Sequence, residues 1–251
     1  MYKVEICANS AESCVAAQTG GAWRVELCAG IPEGGTTPSY GEIVTARELI
    51  TIKLHVIIRP RGGDFLYTAA EMKSMERDIS MACDAGADGV VFGCLTADGN
   101  IDAKAVERLQ KAAKGLPITF HRAFDKCVRP QEALEQLIDL GCNRILTSGQ
   151  RSTAEAGIPL LKELVEQAGS RIIIMPGCGI NEDNIARIAH QTGAQEFHFS
   201  ARENKESGMI HRDAEVSMGG TVTIDEYLQP VTSVRRVRNT IEALPAENSP
   251  D

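Results

Sequence analysis

No stretch of this sequence approaches the ~20 consecutive apolar residues that a membrane helix needs. Cations are in deficit: Lys plus Arg number 26 against 34 for Asp plus Glu, a formal net charge of −8. That balance argues against general nucleic-acid binding, which needs clustered cations to neutralise phosphates, and against an anionic membrane surface. The first residues show no basic segment followed by an apolar one, so no secretory signal is expected. No Cys-x-x-Cys occurs among the 8 cysteines, which argues against a zinc ribbon or a thioredoxin-type site. Without a signal, a reducing cytosol and free thiols are expected. What remains is an ordinary globular composition, 43% hydrophobic and 24% charged over 251 residues, enough for one large domain or two small ones.

One type of unit recurs along the chain. A short run rich in Val, Ile and Phe leads through a polar or Gly-rich turn into an amphipathic helical stretch. Strand-like runs fall at 3–8, 23–29, 53–60, 89–95, 117–122, 143–148, 171–176 and 195–201. Helical patterns lie between them, and a last one is expected from about 225 toward 244, broken near Pro230. Parallel strands need such crossovers. Eight βα units in a chain of this length predict an α/β fold, a (β/α)8 TIM barrel, over residues 1–244, with 245–251 as a loose tail. A doubly wound sheet is the competitor, but the turn after the first strand, Asn9-Ser10-Ala11-Glu12, lacks the Gly-rich nucleotide fingerprint.

Alternation within the strands separates two faces. VEIC at 4–7 and VELC at 25–28 repeat with an offset of 21, so Glu5 and Cys7 share a face, as do Glu26 and Cys28. The apolar face must meet the helices, which turns the Glu/Cys face into the barrel. If the first two strands are neighbours, the two thiols can meet. The same reading turns His55 and Arg59, then Thr119 and His121, then Glu196 and His198 inward. Barrel interiors are normally branched and apolar, so this many buried polar groups predict either a site or a self-satisfied ion network. The loops after the strands are Gly-rich: residues 34–39, the Arg59, Arg61, Asp64 stretch, Thr147-Ser148-Gly149, and Gly177-Cys178-Gly179. In such barrels these loops build the active site, and a helix start after glycines cradles anions.

The segments EIC at 5–7, RVELC at 24–28, EGGTTPS at 33–39, IRPRGGDF at 58–65, TFHRAFD at 119–125, RILTSG at 144–149 and EFH at 196–198 together resemble the CutC copper homeostasis family, in order over about residues 1–240. The resemblance implies a TIM barrel, a cytoplasmic location, self-association into a homo-oligomer and a role in copper handling. It implies Cys7 and Cys28 as copper(I) ligands, with Glu5, Glu26 and Arg59 around them. Two soft thiolates suit Cu(I).

Two functions therefore compete. One is a copper-binding protein of the cytosol, without nucleic-acid or membrane partners. The other is an enzyme on a small anionic metabolite, with Glu5, Glu26, His121 and His198 as acid/base candidates. Arg59, Arg61, Asp64, Ser148, Gly177 and Gly179 would then bind the substrate, and His121 would titrate near neutrality. No lysine stands in strands five to seven, which argues against a Schiff-base aldolase.

Overall fold

In a computed structural model, residues 1–213, 215–216, 220 and 222–245 are described. Eight parallel strands alternate with helices: β1 Lys3–Ala8, β2 Arg24–Leu27, β3 Lys53–Ile57, β4 Gly89–Phe92, β5 Ile118–Phe120, β6 Arg144–Thr147, β7 Ile173–Pro176 and β8 Glu196–Phe199. The sheet runs in the order β7-β6-β5-β4-β3-β2-β1-β8. A bridge from Gly177 to His198 joins its two edges, which makes it a nearly closed TIM barrel. Six of the strands end before their apolar runs do, and the residues left over lead into the mouth; β1 spans its run whole and β7 starts two residues late but ends with its run.

The helices are α1 Ala11–Thr19, α2 Tyr40–Leu49, α3 Ala69–Asp84, α4 Ala103–Ala112, α5 Pro130–Asp139, α6 Ile158–Ala168, α7 Ile185–Thr192 and α8 Val234–Glu242. Side-chain caps start several of them. Ser10 and Ser39 accept from the third residue of their helices, and Thr68 and Glu71 form a reciprocal capping box on α3. The main core lies between sheet and helices. Val4, Ile6, Val25, Leu27, Leu54, Val56, Val90 and Phe92 face it and are buried. A second, smaller cluster of Cys28, Ile57 and Val91 lies inside the barrel.

One expectation needs correction. The stretch from 225 does not begin a helix. Arg202–Glu206 forms β9, and Leu228–Thr232, around Pro230, forms β10; the two pair antiparallel. Pro230 lacks the N–H a helix interior requires, and an edge strand tolerates it. The helix starts only at Val234, capped by Ser233. Of the expected tail at 245–251, only Pro245 is among the described residues.

Candidate functional site

The barrel interior is polar from the middle upward. Glu5 is fully buried and takes a hydrogen bond from Arg24 Nε and a 2.8 Å bond with His198 Nδ1. Arg24 also donates to Glu196 at 2.9 Å, and Arg144 Nε donates to the same carboxylate at 2.6 Å. Burial opposes the Glu5 charge, but Arg24 and His198 outweigh it and hold the carboxyl well below its usual range. These four charges satisfy one another and form a structural layer.

Above that layer lies the thiol pair. Cys7 Sγ and Cys28 Sγ are 3.3 Å apart. The pairing register sets Cys7 level with Glu26, and Glu5 with Arg24, an offset of 19 rather than the 21 of the sequence repeat. A slip of two keeps every face, so Glu5, Cys7, Glu26 and Cys28 all still point inward. The Cys28 thiol hydrogen-bonds Cys7, whose acidity also rises beside His198 and Arg202, so the Cys7 thiol falls well below its usual value despite burial. Arg202 Nη2 lies 3.2 Å from Cys7 Sγ. Cys28, next to that thiol and buried, is pushed up. Of the two thiols, Cys7 is the more acidic. Burial disfavours a charged His198, but Cys7, Glu5 and Glu26 overcome this and hold the imidazolium well above its ordinary range. Glu26 is raised to about 8, chiefly by burial. Ligand atoms of Cys7, Glu26 and His198 all lie within 4.8 Å of one another, and Glu26 Oε1 is buried without a partner.

Cys7, Glu26, Ile57, Arg59, Phe65, His121, Arg122, Asp125, Lys126, Leu146 and His198 line a cavity of about 300 Å³ at the C-terminal mouth, where Gly34 and Gly63 bring in bare backbone. Arg59 is 6% exposed. Its guanidinium donates to the carbonyls of Glu33 at 2.9 Å, Gly35 at 2.8 Å and Gly63 at 3.0 Å. Glu5 pairs with Arg24 and His198, and Glu26 lies 3.7 Å from His198, so the arginine is not their internal counter-ion. Gly34 adopts φ +86°, and a Cβ there would stand 3.3 Å from Arg59 Nη1. Both the left-handed backbone and the close approach favour glycine.

His121 caps the short 3-10 segment Arg122–Lys126 and accepts the Ala123 N–H at Nδ1. Burial, with Arg59 nearby, lowers it to about 3. It is therefore neutral at neutral pH, which corrects the sequence expectation that it titrates there. Other expected ligand residues stand apart from the cavity. Arg61 pairs with Glu71 and Asp64 outside it, and the Asp64 side chain is 74% exposed. The Ser148 hydroxyl and N–H are taken by Asp125. Gly177 packs under Leu146 and His198, and Gly179 lies against Thr153. Sequence reasoning missed Arg202, on a strand it did not foresee. It also missed Arg24 and Arg144 as interior residues, although the two-residue period placed them there. Asp125 went unassigned; it takes Thr147 Oγ1 at 2.6 Å and pins the loop after β6.

Fold and site together define a TIM-barrel protein with a thiol, carboxylate and imidazole cluster at its C-terminal mouth. The CutC family model matches residues 2–203, and the chain belongs to that family. A CutC family protein of Bacteroides thetaiotaomicron is 66% identical over 97% of this chain and 98% of its own. The human copper homeostasis protein cutC homolog is 49% identical over 97% of this chain and 89% of its own. The crystal structure of CutC from Streptococcus agalactiae superposes with a TM-score of 0.77 at 38% identity, covering 80% of this chain and 99% of that one. An aldolase, QR15, at 14% identity and TM-score 0.58, over 76% of this chain and 82% of its own, shares the fold alone.

Proposed function

We propose that this barrel binds copper(I) as cargo through Cys7 and Cys28, in the cytoplasm and as a homo-oligomer. The observation that carries the reading is the 3.3 Å approach of two sulfurs beside His198 and Glu26. Soft sulfur donors select Cu(I) over harder ions. At thiolate–metal bonds of about 2.3 Å, the length found on zinc, sulfurs this close would subtend roughly 90° at the metal. A bent pair of this kind leaves room for a third donor, and Glu26 Oε1, buried and unpartnered, stands among the candidates. No helix among the described residues is long and apolar enough to cross a membrane, which is compatible with the proposed location. Anaerobic titration against a Cu(I) chelator tests the reading. About one copper(I) per chain should bind the wild type and be lost in the C7S/C28S variant; binding unchanged in that variant overturns the assignment.

The cavity favours a second reading, an enzyme acting on a small anionic metabolite. It places Arg59 beside Glu26 and His198 in one concave space, the usual form of a ligand site. Acid–base work in that reading falls to Glu26 and His198, since His121 stays neutral.

A further inference from the structure

We infer that the mouth cavity is an oxyanion site, in which Arg59 and His121 together hold the carboxylate or phosphate group of a small metabolite. The inference deepens the second reading and rests on it. Both residues line the cavity, and each carries a buried nitrogen without a partner: Arg59 Nε and His121 Nε2. Both nitrogens are donors. Guanidinium nitrogens only donate. The Ala123 N–H occupies His121 Nδ1 as an acceptor, which leaves the imidazole proton on Nε2.

Arg59 and His121 line one space and each carries an unsatisfied buried donor, which calls for an acceptor, and the fixed charge of Arg59 calls for a negative one. Among the described residues the Arg59 guanidinium donates to backbone carbonyls and pairs with no carboxylate, so its charge is not neutralised. The Tyr67 hydroxyl lies within reach of the Arg59 side chain, but it is neutral and leaves the charge uncompensated.

The two donors are also set in advance. Arg59 Cζ lies 5.2 Å from the centre of the Phe65 ring, and that ring lies 5.0 Å from the centre of His121. Phe65 thus buttresses both, and binding need not order them. Arg122 and Lys126, in the segment His121 caps, also line the cavity, with Arg122 paired to Asp125 at 2.7 Å. The volume of about 300 Å³ limits the ligand. At about 30 Å³ per water it has room for roughly ten non-hydrogen atoms. That fits a small carboxylic acid or a short phosphate ester.

Calorimetric titration of the full chain at neutral pH tests this with inorganic phosphate, methyl phosphate, pyruvate and malonate, beside lactamide as an uncharged probe. The wild type should bind at least one oxyanion and not lactamide, and the phosphate and carboxylate arms tell which headgroup is taken. His121→Asn keeps an oxygen to cap the Ala123 N–H but removes the Nε2 donor, and it should weaken the anion tenfold or more while leaving Cu(I) binding intact. Arg59→Lys should weaken it similarly; should that variant fail to fold, His121→Asn and the charged-against-neutral comparison still decide. Lactamide binding as well as the anions, or anion affinity unchanged in His121→Asn, overturns the oxyanion site but leaves a ligand cavity. No binding by any probe overturns both.

Discussion

Replacing Glu196 by glutamine tests whether charge holds the polar interior together. Glu196 is 4% exposed and accepts from Arg24 at 2.9 Å and from Arg144 Nε at 2.6 Å. Glutamine keeps the shape and one acceptor but removes the charge. Arg24 would still have Glu5, whereas Arg144 would keep no carboxylate, only the glutamine oxygen and a 3.3 Å bond to Thr119 Oγ1. Removing one partner of a buried pair costs about 3–5 kcal/mol, and the retained acceptor places E196Q near the lower end, about 3 kcal/mol. Typical domains have only about 5–15 kcal/mol in total. At roughly 2–4 °C per kcal/mol the midpoint should fall by about 6–12 °C.

The pH dependence gives a second, independent reading of the same substitution. Burial opposes the Glu196 charge, but Arg144 and Arg24 outweigh it and lower the carboxyl from its usual 4.5. Such a group contributes stability above its unfolded value and loses it as pH falls through the lowered folded value. Glutamine has no such contribution. The gap between wild type and E196Q should therefore be widest near neutrality and narrow below about pH 4.5. Urea unfolding followed by far-ultraviolet circular dichroism at pH 7 and pH 4 measures both. A gap below about 1 kcal/mol at pH 7, or one just as wide in acid, would refute the reasoning. An R144M/E196M variant, which leaves Arg24 with Glu5, should recover part of the loss.

Cys7 should react with iodoacetamide faster than an ordinary thiol at neutral pH, its rate levelling off at lower pH than an ordinary thiol's, and should slow in C28A, which removes its hydrogen-bond donor. Mass spectrometry of the modified peptide follows this; a tenfold fall in wild-type rate per pH unit would show an ordinary thiol. Cys14, Cys94 and Cys142, pushed up to about 12 chiefly by burial, should stay unmodified in the folded protein. A Cβ at Gly89 would stand 2.5 Å from His55 Nε2 inside the barrel, so G89A should lose about 1–3 kcal/mol in chemical unfolding. The loss should shrink when H55A opens the space, and strict additivity of the two would contradict the contact.

The sequence by itself determined the βα repeat and the face of each strand. Side-chain direction alternates with period two wherever the chain is extended, so Glu5, Cys7, Glu26, Cys28, His121 and His198 pointed inward before any register was known. Register is different in kind, because it follows from closing the sheet. The shear that closes the barrel slipped β1 against β2 by two residues from the repeat offset, so Cys7 came level with Glu26 and Glu5 with Arg24. Protonation also belonged to the tertiary structure. His121 was a plausible proton carrier by residue type, but complete burial beside Arg59 makes it a neutral donor. The roles of Arg59 and Arg61 likewise separated only in three dimensions. Arg59 was drawn inside by loop carbonyls, while Arg61, two residues on, was left at the surface with Glu71 and Asp64. Arg202 reached Cys7 from a strand that no apolar pattern announced, since an exposed antiparallel pair need not bury either face. Local periodicity thus fixes which way a side chain points; which groups it meets, and in what charge state, depends on packing between segments distant in the chain.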